Sequence, residues 1–202
     1  MLGKIGNTIK SRKTPNDKFY TPLPVALKMI ELCDIKPNDK VLDCSKGSGI
    51  FYNNLPECKK YWCEIDEEVV GDDKRDFFDF PEQVDLVIGN PPYSVWDKWL
   101  EHTMKITNKF CYIMGVLNFT NPRVKNILDN NFGITKIEIV AIEWWFGPHF
   151  LVVFEKNKPS IITSFGNRVY CEYCNSRQCG RGKYKNNPNI CTRLPVPKAT
   201  GL

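Results

Sequence analysis

The sequence predicts an α/β domain: a mostly parallel sheet with helices on both faces and an antiparallel hairpin at one edge. Three observations carry this. Strand-length apolar runs alternate with segments whose apolar residues recur at helical spacing, as parallel strands joined by helices do. The last two runs are separated only by "EWWFGP", which suits a hairpin. After Lys158 the pattern dissolves into Gly, Asn, Pro, Arg and Cys, placing a domain boundary there.

The elements follow in order. Residues 1–18 are polar and basic and read as a loose N-terminus. "PLPVALKMIEL" (22–32) has helical spacing, with prolines at the start where a helix tolerates them. "KVLDCS" (40–45) is a strand leading into a Gly-containing turn, and "GIFYNNL" (49–55) can begin a helix. "KYWCEID" (60–66) and "QVDLVIGN" (83–90) are strands. "SVWDKWLEHTMKIT" (94–107) reads as a helix with Ser94 as its N-cap. "KFCYIMGVL" (109–117) is a buried strand, "NPRVKNILDNN" (121–131) a helix, and "ITKIEIVAI" (134–142) and "HFLVVFEK" (149–156) the closing strands. This organises the chain as 1–18, an α/β domain over 19–158, and a small module over 159–202.

Composition narrows the class. With 42% hydrophobic and 25% charged residues over 202 positions, the chain reads as a globular domain of ordinary size with a small appendage. The apolar runs are strand-length, so no membrane span is expected, and the first twenty residues lack an apolar stretch of signal-peptide length. An intracellular location is therefore expected, and nine cysteines there read as reduced thiols rather than disulfides. The net charge of +5 is uneven: residues 156–202 carry nine Lys/Arg against Glu172, a net +8, and the rest carries −3. A basic tail suits either simple solvation or contact with a polyanion.

In open parallel sheets, ligands lie beyond the carboxyl ends of the strands. The strand ends here present Asp43 and the loop Ser45–Gly49, then Glu64 and Asp66, then Asp76-Phe77-Phe78, then Asn90-Pro91-Pro92-Tyr93. Gly47 and Gly49 permit a tight turn, and Glu64 follows Asp43 by 21 residues, the spacing at which an acid meets a ribose hydroxyl. Pro-Pro cannot continue a strand or a helix, so "DLVIGNPPY" holds Asn90 at a rigid corner.

These motifs, in this order, resemble the S-adenosylmethionine-dependent adenine-N6 methyltransferases of the NPPY type, over residues 19–156. "FYTPLPVALKMIEL", "VLDCSKGSGIF", "CEID", "RDFFDF", "DLVIGNPPY", "VLNFT" and "WWFGPHFLVVFEK" carry the likeness. The resemblance implies a Rossmann-like class I methyltransferase with a mostly parallel seven-stranded sheet. It implies cofactor contacts from Tyr20, Thr21, Pro22, Asp43, Ser45, Gly47, Gly49, Glu64, Ile65, Asp76, Phe77 and Asn90. Catalysis would rest on Asn90, Pro91, Pro92 and Tyr93, with Tyr93 stacking on a flipped base. A second aromatic would come from Trp144, Trp145 or Phe146, with Phe146 preferred because it precedes the Gly-Pro turn. The acceptor is expected to be adenine in DNA. RNA adenine, a protein glutamine, or no chemistry at all in a nucleic-acid-binding subunit are the alternatives. Lys46 in the loop is unusual, and the eleven residues between Glu64 and Asp76 are too few for a full helix and strand.

The tail reads Cys-x2-Cys-x4-Cys-x11-Cys through Cys171, Cys174, Cys179 and Cys191. Four thiolates suffice for a tetrahedral zinc site, and the segment has too few apolar residues for its own core. Structural zinc is expected, with Arg177, Arg181, Lys183 and Lys185 displayed to nucleic acid; the plain alternative is a basic tail with free thiols. A protein partner is also compatible with a chain this small.

Overall fold

The strand order is β2-β1-β3-β4-β6-β5, in one six-stranded sheet. The computed structural model describes residues 19–66, 69, 74–143, 145 and 147–162, all within one compact unit. The strands are β1 (Lys40–Asp43), β2 (Lys59–Trp62), β3 (Leu86–Gly89), β4 (Lys109–Gly115), β5 (Phe132–Ala141) and β6 (Pro148–Lys156). The first four are parallel, and β6 enters antiparallel between β4 and β5. The expected antiparallel edge pair is present, but its later strand is the inner one. The sheet has six strands among the described residues rather than seven. Among the described residues flanking the short stretch after Glu64, an isolated bridge pairs Glu64 with Arg75.

Alternation along the strands assigns the two faces, because successive side chains point to opposite sides. Val41, Ile88, Cys111, Ile113, Leu151 and Val153 share a core with Ala26 and Met29 of helix α1 (Leu23–Leu32). Phe110, Tyr112 and Phe154 face the other way, where Tyr112 meets Trp96 of helix α2 (Trp96–Ile106) edge-on at 5.8 Å and Phe154 stacks on Phe110 at 4.7 Å. The Tyr112 hydroxyl shares a 2.6 Å hydrogen bond with Thr103 of α2, so the phenol is satisfied within the core. Helix α3 (Asn121–Asp129) buries Val124 and Ile127. The four residues of β3 are all buried, as a central strand covered on both faces must be.

Two local expectations change. Residues 49–55 form only a turn and a single 3-10 turn at Tyr52–Asn54, because the Asn54 side chain competes for a backbone group, donating to the Ile50 carbonyl. Ser94 is not an N-cap; a 3-10 turn at Tyr93–Val95 leads into α2, whose cap position is Val95, with no side-chain hydrogen bond.

Candidate active site

The chain runs from β1 outward to β2 and then returns to the other side of β1 to form β3. The carboxyl ends of β1 and β3 are therefore a topological switch point, where a crevice opens. A cavity of about 860 Å³ lies there, within the size range of cofactor sites. The loop after β1 and the corner after β3 are joined across it by the Ser45 hydroxyl, which donates to the Asn90 carbonyl at 3.2 Å.

Gly89 explains how closely these two strand ends approach. Its φ is +154°, and a Cβ there would lie 2.8 Å from the Cys44 sulfur, so only glycine fits. The following corner buries Pro91 and leaves Asn90 and Pro92 on the cavity wall. Asn90 donates through Nδ2 to the Phe19 carbonyl at 2.9 Å, while its Oδ1 is buried without a hydrogen-bond partner. A buried acceptor left open in this way costs stability unless a ligand completes it.

The acids divide into two kinds. Glu64 lines the cavity and holds the loop: Oε2 accepts from Gly47 N–H at 2.7 Å, and Oε1 accepts from Ile65 and Asp66 N–H at 2.9 Å each. Three of its four lone-pair sites are filled, so Oε2 keeps capacity for one further donor. Asp43 is fully buried and is not on the cavity wall; it accepts from Tyr52 N–H at 3.1 Å and Ser45 N–H at 3.4 Å. Burial pushes its carboxyl up to about 7, against the downward pull of those two backbone donors. Asp43 thus shapes the loop from beneath, instead of touching the cavity as a direct ligand would.

The other expected residues sort by position. Tyr20, Thr21, Ser45, Gly47, Ile65, Asp76 and Phe77 line the cavity; Pro22 and Gly49 do not. Pro22 is the N-cap of α1, and Gly49 shapes the turn at φ +81°. Asp76 accepts from Phe78 N–H, which caps a 3-10 turn and fixes both phenylalanines. Phe77 is 1% exposed and stacks on Trp99 at 4.3 Å, so it backs the cavity wall. Phe78, 38% exposed and also on the wall, presents the open ring, and Ile65, 71% exposed, presents an open aliphatic side chain. The sequence puts both phenylalanines of "RDFFDF" at the crevice and assigns the cofactor contact to Phe77. Lys46, singled out in the loop, lines the cavity with its ammonium 3.9 Å over the Trp62 ring, and Trp99 on the wall carries no sequence signal that marks it.

Tyr93 is not on this cavity wall. Its ring faces Trp96 edge-on at 5.6 Å and reaches toward Gly115, where an added Cβ would lie 3.6 Å from Tyr93 and 3.4 Å from His149 Nε2. Trp145 is buried, packed between Phe19 and His149, so it belongs to the core. Phe146 and Trp144 lie outside the described residues, as do Cys171, Cys174, Cys179, Cys191, Arg177, Arg181, Lys183 and Lys185. Among the described residues no cluster of His, Cys, Asp or Glu could hold a metal ion, and no helix is long and apolar enough to cross a membrane.

Sheet order, switch-point cavity and strand-end acids define a class I, Rossmann-like methyltransferase fold. Solved structures agree. TrmN from Thermus thermophilus matches 72% of this chain and 53% of its own, with a TM-score of 0.54 at 17% identity. The 23S rRNA methyltransferase ErmE matches 73% of each chain at 0.53 and 14%. A ribosomal protein L11 methylase from Lactobacillus delbrueckii subsp. bulgaricus matches 65% of this chain and 77% of its own at 0.51 and 15%. No family model matches the chain. In sequence, the Type II methyltransferase M.HincII of Haemophilus influenzae is 32% identical over 98 residues, 43% of this chain and 19% of that protein. M.HindII of the same species matches at 32% over 98 residues, covering 43% and 18%. The chain thus spans less than a fifth of the length of the curated relatives it matches. Together these bear out the resemblance to S-adenosylmethionine-dependent methyltransferases.

Proposed function

We propose that the chain transfers a methyl group from S-adenosylmethionine to the N6 amino group of adenine in DNA. The observation that carries this is the open acceptor: Asn90 Oδ1 is buried at the lip of the cavity with no partner. An exocyclic amine is a poor nucleophile because its lone pair is delocalised. Asn90 Oδ1 and the Pro91 carbonyl can each accept one of its N–H bonds, which favours the pyramidal form and orients it. The cofactor's sulfonium makes its methyl group electrophilic, so positioning is what remains for the protein to supply.

The residues present suit that cofactor. Glu64 Oε2 has acceptor capacity for a ribose hydroxyl, Ile65 and Phe78 offer an apolar slot for a planar base, and Tyr20 and Thr21 line the same cavity. Tyr93 is the face on which a flipped base would stack, with Phe146 as the second aromatic. The likeness to Type II methyltransferases favours DNA as the acceptor. In the tail, Arg177, Arg181, Lys183 and Lys185 would meet phosphates, carried on a zinc site made by Cys171, Cys174, Cys179 and Cys191.

The test is a labelled methyl-transfer assay. Protein and S-adenosylmethionine are offered unmethylated DNA, structured RNA and a protein extract, and products are digested to nucleosides and amino acids. Label in N6-methyldeoxyadenosine is expected. Label in N6-methyladenosine moves the acceptor to RNA, and label in methylglutamine overturns the base reading. Cofactor binding without transfer to any of them refutes the activity for the isolated chain.

A further inference from the structure

Asn90 is the residue on which the proposed reaction depends, yet nothing in its own strand fixes its amide. An asparagine side chain can turn over by 180° and exchange its oxygen for its nitrogen, which would present donors to the incoming amine. The partner that forbids this comes from 71 residues away. The Phe19 carbonyl lies 2.9 Å from the Asn90 amide, and a carbonyl can only accept, so the atom facing it must be Nδ2. Oδ1 is thereby left as the buried open acceptor.

Phe19 is itself held. Its ring meets Trp145 edge-on at 5.9 Å, and Trp145 in turn meets His149 at 4.9 Å. His149 Nδ1 lies 3.1 Å from the Gly147 carbonyl, so that nitrogen carries the proton. Phe19 also heads the segment Phe19–Thr21, which lines the cofactor cavity; the Tyr20 ring lies 3.5 Å from the position a Cβ on Gly47 would take. One short segment therefore touches both the cavity and the amide.

We infer that Phe19 is a positioning residue: its carbonyl, anchored through the Phe19 ring on Trp145, sets the orientation of the Asn90 amide. The inference rests on the reading of Asn90 as the residue that orients the target amine, and extends it to the segment before α1.

Asn90→Asp tests it. The ionised variant places a carboxylate against the Phe19 carbonyl, whereas the protonated acid restores one donor to Phe19 and one acceptor to the cavity. Burial and the facing oxygen should raise the introduced carboxyl above the ordinary range. Asp43 from the end of β1 and Glu64 from the end of β2 add to that rise, and Lys46 on the loop between them opposes it. Two readouts follow. The stability of Asn90→Asp relative to wild type should recover as pH falls through the raised value, a measurement that needs no turnover. The ratio of variant to wild-type kcat should rise at least about tenfold over the same range, since one pH unit below a pKa protonates most of the acid. A carboxyl titrating in its ordinary range overturns the inference, as does a flat kcat ratio.

Phe19→Ala is the second variant. It should lower kcat about tenfold with cofactor affinity changed less than about threefold, the size expected for losing one well-aligned hydrogen bond. An unchanged kcat overturns the inference, and so does a loss confined to cofactor affinity. Wild-type protein with no turnover on any acceptor would sink the proposed activity instead, and the stability readout would still judge the orientation of Asn90.

Discussion

Replacing Gly89 by alanine tests the packing that brings the cofactor loop and the Asn90 corner together. The substitution adds one methyl group, which would sit 2.8 Å from the Cys44 sulfur, well inside van der Waals contact. It also forces a side-chain-bearing residue to φ +154°. The backbone penalty, for a side-chain-bearing residue in a region populated essentially by glycine, is about 1–2 kcal/mol, within the range for such outliers. Overpacking a rigid core adds about 1–3 kcal/mol. The expected loss of about 2–5 kcal/mol is a large share of a typical domain's stability of about 5–15 kcal/mol. At about 2–4 °C per kcal/mol for a domain of this size, the melting temperature should fall by about 6–12 °C for a central loss of about 3 kcal/mol. Urea unfolding of four proteins separates the two terms: wild type, Gly89→Ala, Cys44→Ala and the double variant. Removing the sulfur should recover the overpacking part, so the cycle should show a coupling of about 1–3 kcal/mol. A Gly89→Ala variant within about 0.5 kcal/mol of wild type would refute the reasoning. A full loss with no coupling would assign the whole effect to the backbone.

Four further outcomes are expected. Asn90→Ala should retain cofactor binding, measured by calorimetry, while losing transfer to DNA; undiminished activity refutes the proposed role. Phe78→Ala should weaken cofactor binding about tenfold, as loss of one aromatic face against a base costs about 1–3 kcal/mol, whereas unchanged affinity would take the ring out of the site. Asp43 binds its proton more tightly folded than unfolded, so its contribution to stability is complete below pH 3.8 and is lost as pH rises through about 7. Asp43→Asn lowers the baseline by turning an amide nitrogen toward a backbone donor, but its stability should fall less steeply than wild type between those values; parallel pH profiles refute the assignment. Metal analysis of the full chain should find about one equivalent of zinc from the Cys171–Cys191 cluster; a metal-free, folded chain refutes that expectation.

The parallel part of the sheet was legible because its strands are apolar runs ended by abrupt polar corners. β1, β3 and β4 begin and end within a few residues of where the pattern places them. The hairpin was legible as a pair, but the placement of β6 between β4 and β5 depends on long-range pairing, such as Cys111 with Val153, that periodicity does not encode. The turn at 49–55 looked helical because its composition is apolar, and the side-chain competition at Asn54 was overlooked. At the cavity, the tight turn follows from Gly47 and Gly49, Glu64 from its spacing after Asp43, and the position of Asn90 from the Pro-Pro corner that follows it. Asp43 was placed in the cavity because an acid at a strand end usually faces the ligand; its side chain instead turns under the loop, a choice made by the Tyr52 and Ser45 amides. The Phe19 carbonyl could not be read at all, because a backbone acceptor leaves no mark on residue identity.

The inner position of β6 has a consequence for how the molecule assembles. β6 is the last strand in chain order among the described elements, yet it pairs on both sides, with β4 and with β5. A growing chain that has released only residues 1–147 would hold β4 with one bare edge and β5 with nothing to pair against. Such edges invite pairing with other chains. Completion waits on segments separated by many residues, which slows folding. Acquisition of the native state should therefore depend steeply on the arrival of Pro148–Lys156, and fragments ending before Pro148 should be recovered as aggregates.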